Sequence, residues 1–160
     1  MIPVVGLTLV ASAAADDTSA TAEQTAHDHD GHDHAVEIGI AIGPAFIPTD
    51  REVAAGLHLH VVGIIGESRW GLGGGVERLF DSHGHTTISG LVQLWVLKGW
   101  SFVLGPGLTI SDDAELQPSI HLETAYEFTV KRLHIGPVFE AALDPEMVHL
   151  TLGLHLGFGL

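Results

Sequence analysis

Strict alternation of apolar and small or polar residues runs through the C-terminal segment from Met147 to Leu160. Every second residue from Val148 onward is valine, leucine or phenylalanine, and the positions between them are histidine, threonine or glycine. Successive side chains of a strand point to opposite faces, so this pattern predicts one amphipathic strand of about fourteen residues, against ~5–6 in a typical strand. A strand of this length with one wholly apolar face is a sticky edge unless other strands pair with it. The segment therefore predicts a sheet that closes on itself.

Seven further alternating segments precede the C-terminal one, and Gly, Pro, Asp or Ser residues separate most of them. Their predicted ranges are 36–47, 52–65, 69–80, 86–97, 100–110, 115–130 and 133–143. Regular strands with turn residues between them, and no competing helical period, indicate an all-β fold. We therefore predict an eight-stranded antiparallel up-and-down β-barrel over residues 36–160.

Charge and hydropathy restrict the class of protein further. Twenty acidic residues against six basic ones give a net charge of −14, which argues against nucleic-acid binding and against a basic membrane-binding patch. Charged residues make up only 16% of the chain, and the mean hydropathy is positive at +0.32. No run of about eighteen apolar residues is present, so a membrane protein with this sequence would have to cross as a closed barrel. Cysteine is absent, which excludes disulfides and thiol chemistry.

Two kinds of barrel fit the alternation. A soluble periplasmic barrel of the lipocalin type would bind a ligand and place the apolar face inside, whereas an outer-membrane barrel places that face in lipid. The polar face is rich in Gly and Ala and nearly free of Lys and Arg, as expected of a packed interior. The aromatic residues Trp70, Trp100, Phe128 and Phe158 are predicted to share one rim, like the aromatic belts of membrane proteins. We favour a transmembrane barrel in the bacterial outer membrane, without an open pore because eight strands enclose too little space.

The N-terminal 35 residues are predicted to lie outside the barrel. Residues 1–15 resemble a signal peptide, with a short apolar core and small residues before a cleavage point. Residues 16–35 are predicted to be a disordered His/Asp-rich tail on the periplasmic side. Its ligand cluster combines imidazoles and carboxylates that suit Zn²⁺ or another divalent metal, although a solvated acidic linker is the alternative. The predicted metal-binding residues are His27, Asp28, His29, Asp30, His32, Asp33 and His34.

A second set of ionisable residues lies on the predicted inner face. It forms a lumen polar network of Glu37, His58, His60, Glu77, His121, Glu123, Glu127, His134, Glu140 and His155. Histidine and glutamate pair well when buried, so we interpret the network as mainly structural, with a metal or proton site as the alternative. Ser119, His121 and Glu123 share this face, but neighbours two apart on a strand are ~6.7 Å apart, beyond hydrogen-bond reach. We therefore expect no catalytic site.

The chain resembles small bacterial outer-membrane β-barrels of the OmpA-transmembrane-domain and OmpX type, and small uncharacterised barrels of the porin family. The resemblance covers residues 36–160 and rests on eight strands, short turns and the ending Leu156-Gly-Phe158-Gly-Leu160, although Leu160 stands where such proteins have an aromatic residue. The runs 71–77, 105–107 and 126–128 are also similar. The resemblance implies contact with outer-membrane lipid, handling by the barrel-assembly machinery, and a non-enzymatic structural or envelope role. An enzyme that modifies lipid is the less favoured alternative, and no oligomeric state is predicted.

Overall fold

The computed structural model describes residues 34–112 and 115–160, which form nine β-strands. These strands are β1 Val36–Ile47, β2 Glu52–Ile64, β3 Trp70–Phe80, β4 Thr86–Leu97, β5 Trp100–Ile110, β6 Leu116–Tyr126, β7 Phe128–Val130, β8 Leu133–Leu143 and β9 Val148–Gly159. Each predicted segment is present with its ends shifted by at most one residue, except that the sixth is divided into β6 and β7. The predicted signal peptide and all of the predicted tail except His34 and Ala35 lie outside the described residues.

The sheet closes into a barrel. Consecutive wall strands pair antiparallel, β1 also pairs with β9, and β6 pairs with β8. Strands β6 and β7 are two parts of one wall strand, because both pair with β8 in the same register. The interruption falls at Glu127, whose backbone N–H donates to the carbonyl of Gly99 in the neighbouring turn at 2.6 Å. The predicted eight-stranded antiparallel barrel is therefore confirmed.

The apolar face of every long strand points outward. Ile42, Leu72 and Leu152 are 55%, 54% and 64% exposed, whereas the polar residues that alternate with them are buried. This arrangement is the reverse of a soluble lipocalin-type barrel, which would bury its apolar face. The eight wall strands, with β6 and β7 counted as one, are at least 11 residues long, enough for the ~9–11 residues that a tilted strand needs to cross a bilayer. No helix in the described part of the chain is long and apolar enough to span a membrane.

The two ends of the barrel differ. The termini end carries His34, Leu160 and the turns before β3, β5 and β8, whereas the loop end carries the connections before β2, β4, β6 and β9. Four outward-facing aromatic side chains lie at strand ends on the termini end, as predicted, and each is 40% or more exposed: Trp70, Trp100, Phe128 and Phe158. An aromatic girdle of this kind is typical of the membrane–water interface.

Apolar side chains also fill one side of the bore at the loop end. This loop-end plug consists of Ala45, Ile47, Ala54, Leu79 and Met147, all 8% exposed or less. A second apolar cluster of Val62, Leu91, Trp95 and Val103 fills one side of the interior. The predicted inner face is rich in small and polar residues, and the alternation within single strands does not indicate these two apolar clusters. The large inward residues stand at different heights on different strands, so their meeting depends on register.

A short ordered loop connects β3 and β4 at the loop end. The Asp81 carboxylate accepts hydrogen bonds from the Gly84 N–H at 2.8 Å and from the His85 ring Nδ1 at 2.7 Å. Burial alone would raise the pKa of Asp81, but the charge interaction and hydrogen bonds with His85 hold it below its usual range. Gly84 takes a positive φ of 63°, a conformation that favours glycine at this tight turn. The Asp81 carboxylate therefore helps to hold this loop, together with the Glu52 carboxylate, which accepts hydrogen bonds from the Ser82 N–H and hydroxyl.

Candidate metal centre

The interior of the barrel carries many histidines and glutamates and no lysine or arginine among the buried residues that the structure describes. The structure places all ten residues of the predicted lumen network inside the barrel, and His34 and His149 join them. The glutamates are Glu37, Glu77, Glu123, Glu127 and Glu140. The histidines are His34, His58, His60, His121, His134, His149 and His155. Carboxylates in such a place need a counter-charge, because an isolated buried charge is strongly unfavourable.

Four of these side chains converge at mid-height to form the central cluster, which comprises His58, His121, Glu123 and Glu140. One ligating atom from each lies within 4.8 Å of the others, and all four residues are buried. The His58 Nδ1 atom lies 3.2 Å from Glu123 Oε2 and 3.5 Å from Glu140 Oε1. The His121 Nε2 atom lies 3.5 Å from the same Glu123 oxygen.

The strand register forces two carboxylates of the central cluster to face each other. Glu123 on β6 is the direct cross-strand partner of Glu140 on β8. Like charges directly opposite in a sheet repel each other. Imidazolium groups, a bound cation or a proton on one of the carboxylates can offset that repulsion here, since Lys and Arg are absent from the buried part of the described chain.

The polar network continues from the central cluster toward the loop end. His121 Nδ1 lies 3.6 Å from Glu77 Oε2, and the other Glu77 oxygen lies 2.9 Å from His149 Nε2. These contacts connect β9, β3 and β6 across the bore. Below the loop-end plug the network is thus tied together by alternating imidazoles and carboxylates.

A second group of donors lies at the termini end, and we term it the mouth cluster: His34, Glu37, His60, His134 and His155. Glu37 belongs to two potential ligand sets, one with His34 and His134 and one with His60 and His155. The His34 Nε2 atom lies 3.4 Å from Glu37 Oε2, and the rings of His60 and His155 stack with centroids 5.1 Å apart. Glu127 contacts the ring nitrogens of His134 and His155.

Glycine provides the space that these rings occupy. A Cβ atom built on Gly39 would overlap the Nε2 atoms of both His60 and His155, and one built on Gly75 would come 2.5 Å from His58 Nε2. Each glycine faces inward beside the ring concerned. The glycine-rich face noted in the sequence therefore serves to admit imidazoles into a narrow bore.

The predicted tail site falls mostly outside the described residues. Of its seven residues only His34 is described, and its side chain is 7% exposed at the mouth of the barrel. The other six are His27, Asp28, His29, Asp30, His32 and Asp33, which lie outside the described ranges. The potential metal ligands that the structure brings together are thus in the barrel.

The Ser119, His121 and Glu123 set is only partly assembled. His121 and Glu123 lie in contact at 3.5 Å because their long side chains lean toward each other, which the strand spacing alone did not predict. The Ser119 hydroxyl has no hydrogen-bond partner among the described residues. A serine nucleophile needs a base within hydrogen-bond reach, and the described geometry provides no such contact.

The donor set of the central cluster suits a four-coordinate transition-metal ion. Zn²⁺ binds imidazole nitrogen and carboxylate oxygen at ~2.0–2.2 Å, so tetrahedral ligand atoms lie about 3.3–3.5 Å from one another. Of the six donor-to-donor distances in the central cluster, three are 3.2, 3.5 and 3.5 Å, close to that spacing, and all lie within 4.8 Å. Two imidazoles with two carboxylates would also leave a bound divalent ion neutral overall.

Comparison with known proteins identifies structures with a similar fold but no matching sequence family. No family model matches the sequence, and a search of curated proteins finds no match. A de novo designed transmembrane β-barrel superposes with a TM-score of 0.55 at 11% identity, covering 80% of this chain and 98% of its own. Neisserial surface protein A superposes with a TM-score of 0.54 at 7% identity, covering 78% of this chain and 96% of its own.

These likenesses and the apolar outer wall define the class of protein: a small eight-stranded transmembrane β-barrel. Its fold matches that of small outer-membrane barrels, in agreement with the predicted location in the bacterial outer membrane.

Proposed function

We propose that this protein is a non-enzymatic outer-membrane barrel that holds a divalent transition-metal ion, such as Zn²⁺, in its interior. The observation that carries the proposal is the central cluster, in which His58, His121, Glu123 and Glu140 direct four donor atoms to within 4.8 Å of one another. Imidazole and carboxylate together favour Zn²⁺ and similar ions over Mg²⁺ or Ca²⁺, which prefer oxygen alone.

The charge of the interior supports a resident cation. Glu123 and Glu140 are opposed across β6 and β8, and both side chains are 2% exposed. A divalent ion shared by the two carboxylates would relieve their repulsion, which a purely structural network achieves by protonating histidines or one of the carboxylates.

The tail extends the same chemistry outside the barrel. Residues 27–33 bring three histidines and three aspartates into the segment that joins the barrel at His34. We propose that this tail binds divalent metal with moderate affinity, because an extended segment loses conformational entropy when it wraps an ion. The remaining partners that we propose are outer-membrane lipid, which the exposed apolar wall fits, and the barrel-assembly machinery.

Zn²⁺ titration of the purified protein in detergent micelles tests the proposal. We expect one high-affinity site that disappears in the double variant His58→Ala/His121→Ala and persists when residues 16–33 are deleted. Heat-modifiable gel mobility verifies that each variant still forms a barrel. A folded double variant that binds Zn²⁺ as the parent does would contradict an interior metal site.

A separate titration addresses the tail. Replacing His27, His29 and His32 by Ala should remove the weaker binding and leave the high-affinity site in place. If the triple variant loses the high-affinity site instead, the metal resides on the tail, and the interior network is only structural.

A further inference from the structure

We propose that the metal reaches the central cluster from the termini end, with Glu37 as the ligand that receives it at the mouth of the barrel. This inference rests on the interior metal site proposed above and adds the direction and the residues of its loading. It follows from three features of the described interior: ligand sets that lie at the mouth and not at the loop end, incompletely bonded donors at the mouth, and a chain of imidazoles between mouth and centre.

The loop end holds no three-donor ligand set among the described residues, whereas the termini end holds two. Ile47, Leu79 and Met147 fill one side of the bore at the loop end and are 0%, 1% and 5% exposed, so a hydrated divalent ion would have to shed its water against apolar side chains to pass on that side. The other side of the loop end is lined by polar residues such as Thr109 and Gln117. The termini end instead has a lane of donors along β1, β8 and β9, beside the apolar cluster that fills the opposite side.

Glu37 and His60 are incompletely bonded in a way that points to a ligand. Glu37 is fully buried, and apart from the 3.4 Å contact between its Oε2 and His34 Nε2, its carboxylate oxygens have no hydrogen-bond partner among the described residues. His60 is 4% exposed, and neither of its ring nitrogens has such a partner either. Buried polar atoms are nearly always hydrogen-bonded, so these two neighbouring residues, like other members of the network such as Glu77 and His121, indicate places for ions or waters that complete them.

Glu37 can contact an ion in two positions. With His34 and His134 it forms a three-donor group at the mouth, and with His60 and His155 it forms a second one deeper in the bore. A single carboxylate shared by two ligand sets can pass an ion from the first to the second without releasing it. The outer set includes His34, the last histidine of the metal-binding tail segment.

The inner set leads on to the central cluster. The His60 ring lies 5.1 Å from the His58 ring, and His58 is itself a central-cluster residue. Successive donors are therefore close enough for an ion to exchange one ligand at a time. The basic residues of this end, among them Lys98 and Lys131, lie exposed in the turns, outside this lane.

Rapid mixing of the full-length protein with Co²⁺ tests this path, because four-coordinate Co²⁺ in the central cluster has a visible absorption band. Glu37→Gln keeps the shape of the side chain and should slow both uptake and chelator-driven release by roughly tenfold or more, as expected for loss of a positioned ligand. His34 lies before the first wall strand, and His34→Ala should also slow uptake. It keeps the proposal testable should Glu37→Gln fail to form a barrel.

Two charge-matched controls give the test its specificity. Glu67→Gln removes an exposed carboxylate from a turn at the termini end, and Glu146→Gln removes one from the loop end. Both should load at the parent rate. Slowing by Glu67→Gln equal to that of Glu37→Gln would mean that overall charge, and not a ligand, governs uptake, and slowing by Glu146→Gln alone would place the way in at the loop end.

The two proposals fail differently. If Co²⁺ gives no band, or gives one that survives His58→Ala/His121→Ala, the interior metal site itself is wrong. If the band depends on the central cluster but its rate of appearance is unchanged in Glu37→Gln and His34→Ala, the site stands and the proposed path is overturned.

Discussion

The rings of His60 and His155 stack nearly parallel inside the barrel, with centroids 5.1 Å apart and planes inclined by 13°. They come from β2 and β9, and they meet over Gly39 on the intervening strand β1. Two imidazoles stacked in this way cannot both be charged without repulsion. The stacked pair depends on the missing side chain of Gly39 on β1.

The first prediction concerns Gly39, where substitution by Ala should destabilise the barrel by about 1–3 kcal/mol because the new methyl group overpacks the histidine pair. Gly90→Ala is the matched control, since a Cβ at that outward position meets nothing within 4 Å. Urea unfolding in lipid vesicles measures both. Equal effects of the two substitutions would show that the space at Gly39 is not required by the rings.

A charged side chain on the outward face should oppose membrane insertion by a free energy that depends on its depth in the bilayer. Leu152 is 64% exposed near the middle of β9, so Leu152→Arg should impair insertion at ~2–4 kcal/mol, the cost of Arg at the bilayer midplane. Leu152→Val is the control of similar polarity. The measurement is the fraction that shows heat-modifiable mobility after refolding into vesicles. Normal insertion of the Arg variant would mean that this face does not contact lipid.

The opposed glutamates predict that Glu140→Gln changes the stability of the barrel in opposite directions with and without metal. Without metal, Glu140→Gln should raise the unfolding midpoint slightly, because it removes a like-charge contact worth roughly 0.2–1 kcal/mol. With saturating Zn²⁺ the same variant should be less stable than the parent, which at 100 times the dissociation constant gains about 2.7 kcal/mol from binding. Glu67→Gln should change neither midpoint. An identical order of stability with chelator and with Zn²⁺ would count against shared carboxylate ligation.

The β3–β4 loop predicts a dependence on acid pH. Because the folded pKa of Asp81 lies below its unfolded value of ~3.9, its contribution to stability is complete above that value and is lost as pH falls through the folded pKa. Proteolysis of the loop should therefore increase below about pH 4, and Asp81→Asn should remove this pH dependence. A parent protein whose loop is cleaved equally at pH 7 and pH 3 would contradict this role.

The tail predicts a second pH dependence, in metal binding. Histidine ligates only when neutral, so heat from Zn²⁺ binding to the tail should decline as pH falls through ~6.5. Calorimetry of the parent and of the variant with His27, His29 and His32 replaced by Ala isolates this signal. If the difference between them is the same at neutral and mildly acidic pH, the tail histidines are not the ligands.

Much of the architecture follows from the sequence alone. Alternation from Val148 to Phe158 determines which residues share a face, and the polar face, rich in Gly and Ala and nearly free of Lys and Arg, is the one that suits a packed interior. The same alternation puts His58, Glu123 and Glu140 on the inner face. The local pattern therefore predicts the closed barrel, its outward apolar wall and the ionisable residues of its interior.

Only the tertiary structure decided which inner residues meet. A strand that slips by two residues keeps the same faces but gains new neighbours, so the local pattern cannot specify register. Closure of the whole barrel sets that register. It brings His58 to Glu123, 65 positions apart in the chain, and Glu77 to His149, 72 apart. It also opposes Glu123 to Glu140, assembles the loop-end plug and seats His34 in the mouth, because each of these contacts joins different strands or a strand and the segment beside it.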